Sequence, residues 1–545
     1  MFNQPDFFDR AQILENLQKR LLGLKDGYRQ NIVLIGNPLM GKTSILKKFL
    51  SDICDNQIIP LYLEIGSLDF KTFILKFIGC LLYNFLKKDR NDLKEDLDFL
   101  IEESKKILPK TTAKISQIRL HLQRGRRVEV FFETLGLLES LNQESGKFSL
   151  VVFDEFHLLE ELNFKDIFRE LGKKIMIQKK SMYLFSSSAK YKAKKILSKE
   201  LSLLFGNFEV IEVGPFNLGT SREFILDKTA GLNLYSSIID FIINFTGGCP
   251  FYLDLICSKA KQLASVKQDD LISQVTIINV LQNLLFNSYG ELNQRYSRSI
   301  THLTDEFKDG AELISILLCL ANSCNKIREM SLSLPSKKKN LINKINRLLE
   351  LEIIDKRGTF YQINDRVFEF WLRFVYQAKQ DALDYHFDLQ ARSFRERIES
   401  FINDFILVSK KDTIERITEL FNLFSNDSVQ LERHKFKLSQ FKELKQLRFD
   451  GGQIKKGIAG ITKNSLWLAG IKEDKITEND VAEFAAECKK YRNKLQKKII
   501  IAFNDIEANA SLLAKQNKIL TWDIENLNSL FDLYGKPRIV ATSKK

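Results

Sequence analysis

Asn31-Ile32-Val33-Leu34-Ile35-Gly36-Asn37-Pro38-Leu39-Met40-Gly41-Lys42-Thr43-Ser44 is the stretch that decides the fold of this chain. Ile32 to Ile35 is an apolar, strand-like run and Thr43 to Ser51 is helix-like, so the glycine-bearing segment between them joins a strand to a helix. A loop in that setting binds phosphate when it offers glycines where backbone must approach the ligand, amides aimed at the phosphates, a lysine for the β and γ oxygens and a hydroxyl for magnesium. Gly36, Gly41, Lys42 and Thr43 supply these, and Asn37, Pro38, Leu39, Met40 and Ser44 complete the cradle. ATP with Mg²⁺ is the expected ligand, with Lys42 both binding and assisting transfer and Thr43 on the metal.

A nucleotide site of this kind needs a second strand that ends in acids. Leu150-Val151-Val152-Phe153-Asp154-Glu155 fits: Asp154 is expected in the outer shell of the metal and Glu155 as general base for the attacking water. Tyr183-Leu184-Phe185 leads into Ser186-Ser187-Ser188, of which Ser187 is taken as the residue that senses the γ-phosphate. Further strand-like runs are Ile58 to Ile65, Ser181 to Phe185 and Phe208 to Val213. They read as continuous rather than alternating, as strands buried on both faces of a parallel sheet should. A charged helical segment, Lys87 to Gln143, is expected as an elaboration on that core.

Beyond the α/β core, expected over residues 1–214, apolar residues recur at helical spacing (Ile238, Phe241, Ile242, Phe245) with a break at Gly247-Gly248-Cys249-Pro250, which describes a helical domain over 215–305. From 306 to 380 come helices, a basic helix from Ser336 to Leu351 and a hairpin around Arg357-Gly358, the pattern of a winged helix. The remainder, 381–545, opens with helices and returns to an α/β alternation. There Thr477 starts a helix to about Gln496, and Lys498 to Phe503 and Ile519 to Trp522 are strands.

Composition sets outer limits. A length of 545 residues calls for several domains, and no apolar run reaches the roughly 20 residues of a membrane span. The best candidate, Phe73 to Leu86, contains Lys76 and reads as a buried helix; with no signal pattern in Met1 to Arg10, a cytoplasmic protein without membrane contact is expected. The seven cysteines form no C-x-x-C pair, which argues against a disulfide framework or zinc site. A net charge of +14 favours polyanions. The basic helix, with Lys337, Lys338, Lys339, Lys344 and Arg347, is the candidate surface for double-stranded DNA, and Gly125-Arg126-Arg127 is a weaker one.

Taken together, these motifs resemble the archaeal-type ATPases of the STAND branch of AAA+ proteins over about residues 5 to 380. The likeness rests on Phe8-Asp9-Arg10 with Ile13-Leu14 ahead of the loop, at a spacing one residue shorter, on the loop and acid strand themselves, on Gly248-Cys249-Pro250, and on Tyr361-Gln362-Ile363-Asn364-Asp365 with Phe368 and Trp371-Leu372. The resemblance implies a sheet ordered 5-1-4-3-2, a helical lid whose Pro250 lies close to nucleotide, and Arg10 near the base. It departs at Asn207, where relatives often carry an arginine after the glycine; that loss predicts slow hydrolysis unless another arginine such as Arg222 substitutes. The C-terminal region resembles the restriction-endonuclease-like domain attached to many of these ATPases. Asp450 and Lys472 stand at two of its metal-site positions, but Gly470 occupies the glutamate position, so nuclease activity is expected to be absent or strongly impaired. The readings that follow are an ATP-dependent regulatory switch, in which ATP with Mg²⁺ clamps the lid and winged helix against the core and the nucleotide state passes to the C-terminal domain, with a protein partner or self-association as further contacts; a DNA-binding ATPase of origin-recognition or transposition-accessory type; and a nuclease effector.

Overall fold

The computed structural model describes residues 7–66, 68–87, 93–202, 206–334, 338–383, 386–431, 434–449, 452–491 and 495–540. The chain divides into two compact units: Met1–Pro215 with Cys249–Phe251, and Phe216–Gly248 with Tyr252–Lys545.

In the first unit, strands β1 (Asn31–Ile35), β2 (Ile58–Glu64), β3 (Phe148–Asp154), β4 (Ser181–Ser187) and β5 (Phe208–Glu212) form one sheet in the order β2-β3-β4-β1-β5. Every pairing in it is parallel. This is the order that the resemblance implies, written from the other edge. Side chains alternate between faces along a strand, and both faces are buried here. Ile32, Leu34, Leu150, Val152, Met182 and Leu184 pack with Leu17, Leu21 and Leu24 of helix Ala11–Lys25 and with Ile45 and Phe49 of helix Lys42–Ser51. Their neighbours Val33, Ile35, Val151, Phe153, Tyr183 and Phe185 pack on the other face with Phe73, Phe77 and Leu81 of helix Phe70–Leu86. Two buried faces are the reason the strands read as unbroken apolar runs.

Asp69 caps helix Phe70–Leu86 by accepting from Thr72 N–H, a contact worth about 1 kcal/mol. Among the described residues no helix is long and apolar enough to cross a membrane. The charged segment after that helix belongs to the same core. Its helices Leu97–Ser104, Pro109–Gln123 and Arg127–Ser145 bury Leu100, Ile115, Ile118, Phe131, Leu135 and Leu138 in the cluster under the sheet.

The second unit begins with helices Leu218–Lys228 and Ser236–Thr246, continues with most of Pro250–Lys267, and then runs through Gln274–Leu281 and Glu291–Glu306. Where no strand was expected, β6 (Asn233–Leu234) and β7 (Leu271–Ile272) pair in parallel. At two residues each they are too short to impose a pattern on the sequence. Helices Gly310–Ala321, Ile327–Ser333 and Lys338–Glu350 are followed by the antiparallel hairpin of β8 (Ile354–Arg357) and β9 (Phe360–Ile363) and by helix Arg366–Trp371. Asp365 caps the last of these through Val367 and Phe368 N–H and accepts the hydroxyl of Tyr252, while Trp371 donates to Asn293. The Asp365, Phe368 and Trp371 positions of the sequence motif are thus packing residues.

After helices Phe387–Ser409 and Thr413–Asn422 comes a hairpin, β10 (Asp427–Leu431) with β11 (His434–Leu438). A five-stranded sheet follows, ordered β12 (Glu443–Arg448), β13 (Lys456–Ile461), β14 (Leu466–Lys472), β15 (Leu495–Ala502), β16 (Ile519–Trp522). Its first three strands are antiparallel and its last three parallel. Helix Glu478–Lys489 ends sooner than its sequence suggests, and β15 starts earlier, because Leu495 and Lys497 pair with Leu466 and Trp467. The β8–β9 hairpin is packed on one side while Lys356 and Thr359 stay exposed. Phe360 shares a core with Ile417, Phe421, Trp522 and Phe531, and Thr359 N–H donates to Ser428 O over 2.7 Å.

Candidate nucleotide site

Parallel pairing brings the carboxyl ends of β1, β3 and β4 to one edge of the sheet, the place where open α/β sheets hold ligands. Ile35 lies opposite Ser187, Glu64 opposite Asp154, and Gly36 N–H donates to Ser187 O over 3.2 Å. The predicted loop, Gly36 to Thr43, leaves β1 at this edge. Gly36 has to be glycine, because a Cβ there would lie 2.2 Å from Val213 O. Helix Lys42–Ser51 starts without a side-chain cap, and such a start presents first-turn amides to an anion. Lys42 is buried, with Nζ donating to Gly36 O at 2.9 Å and Asn37 O at 3.0 Å.

Asp154 is 1% exposed and is held by hydroxyls. Thr43 donates to Oδ2 over 2.8 Å, Tyr62 to the same oxygen over 2.9 Å, and Ser186 to Oδ1. The loop hydroxyl and the acid strand are therefore joined, 111 residues apart in the chain. Burial, then the charge of Asp154, pushes the Tyr62 hydroxyl far above its ordinary pKa, so it stays a donor.

Glu155 stands in left-handed backbone, φ 56° and ψ 47°, a conformation that costs a bulky residue on the order of 1 kcal/mol or more. Its N–H donates to Ser186 Oγ at 3.2 Å, and its Oε2 accepts from Ser188 N–H at 2.7 Å and Ser188 Oγ at 2.9 Å. His157 Nδ1 lies 3.4 Å from the same Oε2 and 2.9 Å from Ser187 Oγ. Burial first, then the positive charges of Lys192 and Lys42, brings the imidazole pKa down to about 4. It is neutral at physiological pH.

Of the predicted serines, Ser187 faces His157, while its neighbours Ser186 and Ser188 make the contacts to the acids. Arg10 lies ahead of helix Ala11–Lys25 and donates to Gly214 O just beyond β5. Pro250 is the first residue of its helix, a position where a missing N–H costs nothing, and the adjoining Cys249 Sγ lies 3.7 Å from Leu39 O of the loop. Asn207 O accepts from Asn31 N–H at the foot of β1, and the guanidinium of Arg222 pairs with Asp240. Pro38, Leu39, Met40 and Ser44 all lie on the loop or the first turn of its helix. Asp450 is outside the described residues, Lys472 pairs with Asp480 over 2.6 Å, and a Cβ on Gly470 would meet the Phe484 ring at 2.9 Å. No group of metal-holding side chains is present among the described residues.

Tyr62 and His157 were not anticipated, and Ser188 was named only as a neighbour of the chosen Ser187. Ser188 and His157 lie within two residues of motif positions, so their sequence offered a signal. Tyr62 offered none.

A parallel sheet in this order, with a phosphate-binding loop between β1 and the following helix and an acid pair at the end of β3, is the core of a P-loop nucleoside triphosphatase fold. No family profile and no curated protein matches the chain. Among solved structures it is similar to a Walker-type ATPase, PABY2304 of Pyrococcus abyssi, at 18% identity over 67% of this chain and 96% of that one, with TM-score 0.48. It is also similar to the ORC2 protein of Aeropyrum pernix, solved as ADPNP–ADP complexes, at 12% identity over 70% and 98%, TM-score 0.42. A third is the ORC1 protein of Aeropyrum pernix in complex with DNA, at 12% identity over 68% and 93%, TM-score 0.36. The fold assignment rests on strand order and register.

Proposed function

We propose that this chain is an ATP-binding, slowly hydrolysing ATPase of the STAND-like AAA+ kind, acting as a nucleotide-dependent regulatory switch. The observation that carries the reading is the hydrogen bond from Thr43 of the loop to Asp154 of the acid strand, with Glu155 beside it. Those residues fit a magnesium nucleotide. Gly36 to Ser44 would hold the phosphates, Lys42 would exchange its loop carbonyls for phosphate oxygens, and Thr43 with Asp154 would hold the metal. When bound, Mg²⁺ supplies positive charge to the phosphate oxygens.

Glu155 is the proton acceptor for water, and Ser188 sets the direction of its carboxylate. Arg10 and Pro250 are proposed as base-side and lid contacts on the strength of the motif resemblance, and Ser187 as a γ-phosphate contact from its place at the tip of β4. With asparagine at 207 and Arg222 engaged by Asp240, neither of these positions supplies the arginine whose contribution is worth roughly 10³ to 10⁵ in rate elsewhere.

The switch is favoured over DNA docking by what the winged helix already touches. Lys344 pairs with Glu312, Arg347 with Asp309, and the wing turn is held by Ser428. Lys337 is outside the described residues and Lys339 is exposed. The nuclease reading is disfavoured by Gly470, which has neither a carboxylate nor room for one, and by the engagement of Lys472 with Asp480.

Equilibrium binding and turnover of ATP test the reading. Lys42→Ala is expected to lose ATP binding by at least tenfold, while Glu155→Gln keeps binding and loses turnover. Undiminished ATP affinity in Lys42→Ala would sink the proposal, and ATP turnover that depends on duplex DNA would favour the DNA-binding alternative.

A further inference from the structure

We infer that Tyr62 is a positioning residue of this site: its hydroxyl holds the Asp154 carboxylate in the orientation that magnesium binding uses. The inference rests on the nucleotide reading and adds to it a residue that neither the loop nor the acid-strand motif names. Tyr62 lies on β2, two residues before Glu64, which pairs in register with Asp154. From there its hydroxyl reaches Asp154 Oδ2 at 2.9 Å, the oxygen that also accepts from Thr43 at 2.8 Å.

The geometry has a directional consequence. A threonine hydroxyl that donates its proton to a carboxylate turns its lone pairs to the opposite side, where a cation can use them. The position of Oδ2 therefore aims the Thr43 oxygen. Tyr62 fixes Oδ2 from a neighbouring strand with a ring that has few rotatable bonds, while Ser186 fixes Oδ1 from β4. Partners of this outer kind are commonly worth about 10-fold to 100-fold in metal affinity. Ser186 also accepts from Glu155 N–H, so replacing it disturbs both acids, whereas Tyr62→Phe removes one hydroxyl and keeps the ring.

The test titrates Mg²⁺ into the full-length chain with a fluorescent, non-hydrolysable ATP analogue and reads binding rather than turnover. Tyr62→Phe is expected to bind the analogue in EDTA as the wild type does, and to need about tenfold more Mg²⁺ to reach the tight-binding state. Glu64→Gln, which removes an exposed charge opposite Asp154 in register, is expected to leave that midpoint in place. Superimposable Mg²⁺ curves for wild type and Tyr62→Phe overturn the inference, and so does an equal shift in Glu64→Gln, which would make the effect one of general field. Melting in EDTA separates a packing role: lowered melting with an unmoved midpoint also overturns it. A wild-type chain that binds no analogue at all defeats the nucleotide reading itself, and the Tyr62 assignment with it, a result distinct from the others.

Discussion

Glu155 is the residue on which the proposed turnover depends most. It sits in left-handed backbone and its carboxylate accepts two hydrogen bonds from one serine, Ser188. Bonds to an ionised group are worth about 1.5–3 kcal/mol each, enough to decide which way a carboxylate points. Ser188→Ala keeps the backbone donor and deletes the hydroxyl. It is expected to lower kcat about tenfold, near 1.4 kcal/mol of transition-state stabilisation, with ATP affinity within twofold of wild type. Steady-state kinetics beside direct binding measurements check this; a fall in affinity with unchanged kcat would mean that Ser188 acts on nucleotide rather than on the base. Ser187, chosen from sequence, meets neutral His157 instead. Adjacent strand positions point to opposite faces, so a one-residue choice within Ser186-Ser187-Ser188 selects a different set of partners.

At the scale of elements, the β8–β9 hairpin behaves as packing rather than as a free wing. Gly358 has φ 75°, and a Cβ there would lie 2.0 Å from Ser428 O on β10. An alanine would suffer both the left-handed backbone and a clash with main chain, which cannot rotate away. Gly358→Ala is expected to destabilise the second unit by about 2–4 kcal/mol, read as a lower urea midpoint for the C-terminal tryptophan fluorescence. A loss under about 0.5 kcal/mol would show that the hairpin is free to leave β10. The hairpin itself could be read in the sequence from Arg357-Gly358 between two apolar pieces. Its burial could not, since Ser428 lies 69 residues from Thr359.

Across the second unit, Asp532 gathers charges from distant parts of the chain. Arg366, the first residue of helix Arg366–Trp371, and Arg538, near the C-terminus, both pair with it, and Arg538 N–H donates to Asn244 of helix Ser236–Thr246 at 3.0 Å. Burial alone would raise the Asp532 pKa, but the two guanidiniums outweigh it and hold the carboxyl at about 2. A carboxyl depressed on folding stabilises the protein above its unfolded value near 3.8, and that contribution is lost as pH falls from there toward 2. Asp532→Asn is expected to cost about 2–4 kcal/mol at pH 7, leaving two half-buried arginines without their acid. The gap between variant and wild type should narrow below pH 4 in urea titrations at successive pH values. A gap that is constant with pH would assign the loss to packing. Within the unit this cluster joins helices Ser236–Thr246 and Arg366–Trp371 to the C-terminal residues.

What the sequence determined by itself is what short-range pattern can carry. Spacing within eight residues identifies Gly36 to Thr43, an apolar run ending in Asp154-Glu155 identifies the second strand, and continuous apolar runs identify strands buried on both faces. The folded chain alone decided which side chains arrive from elsewhere. Tyr62 reaches Asp154 only because β2 pairs with β3 in one register, Ser186 and Ser188 serve the acids because β4 lies on the other side of β3, and His157 is neutral because burial and two lysines surround it. The short strands β10 to β13 were missed because polar and charged residues alternate with apolar ones in β10 to β12 and glycines shorten the apolar pattern of β13; pairing, not propensity, makes them strands. Hydrogen bonds between residues 92 or 111 positions apart depend on register and closure of the whole sheet, which no local pattern encodes.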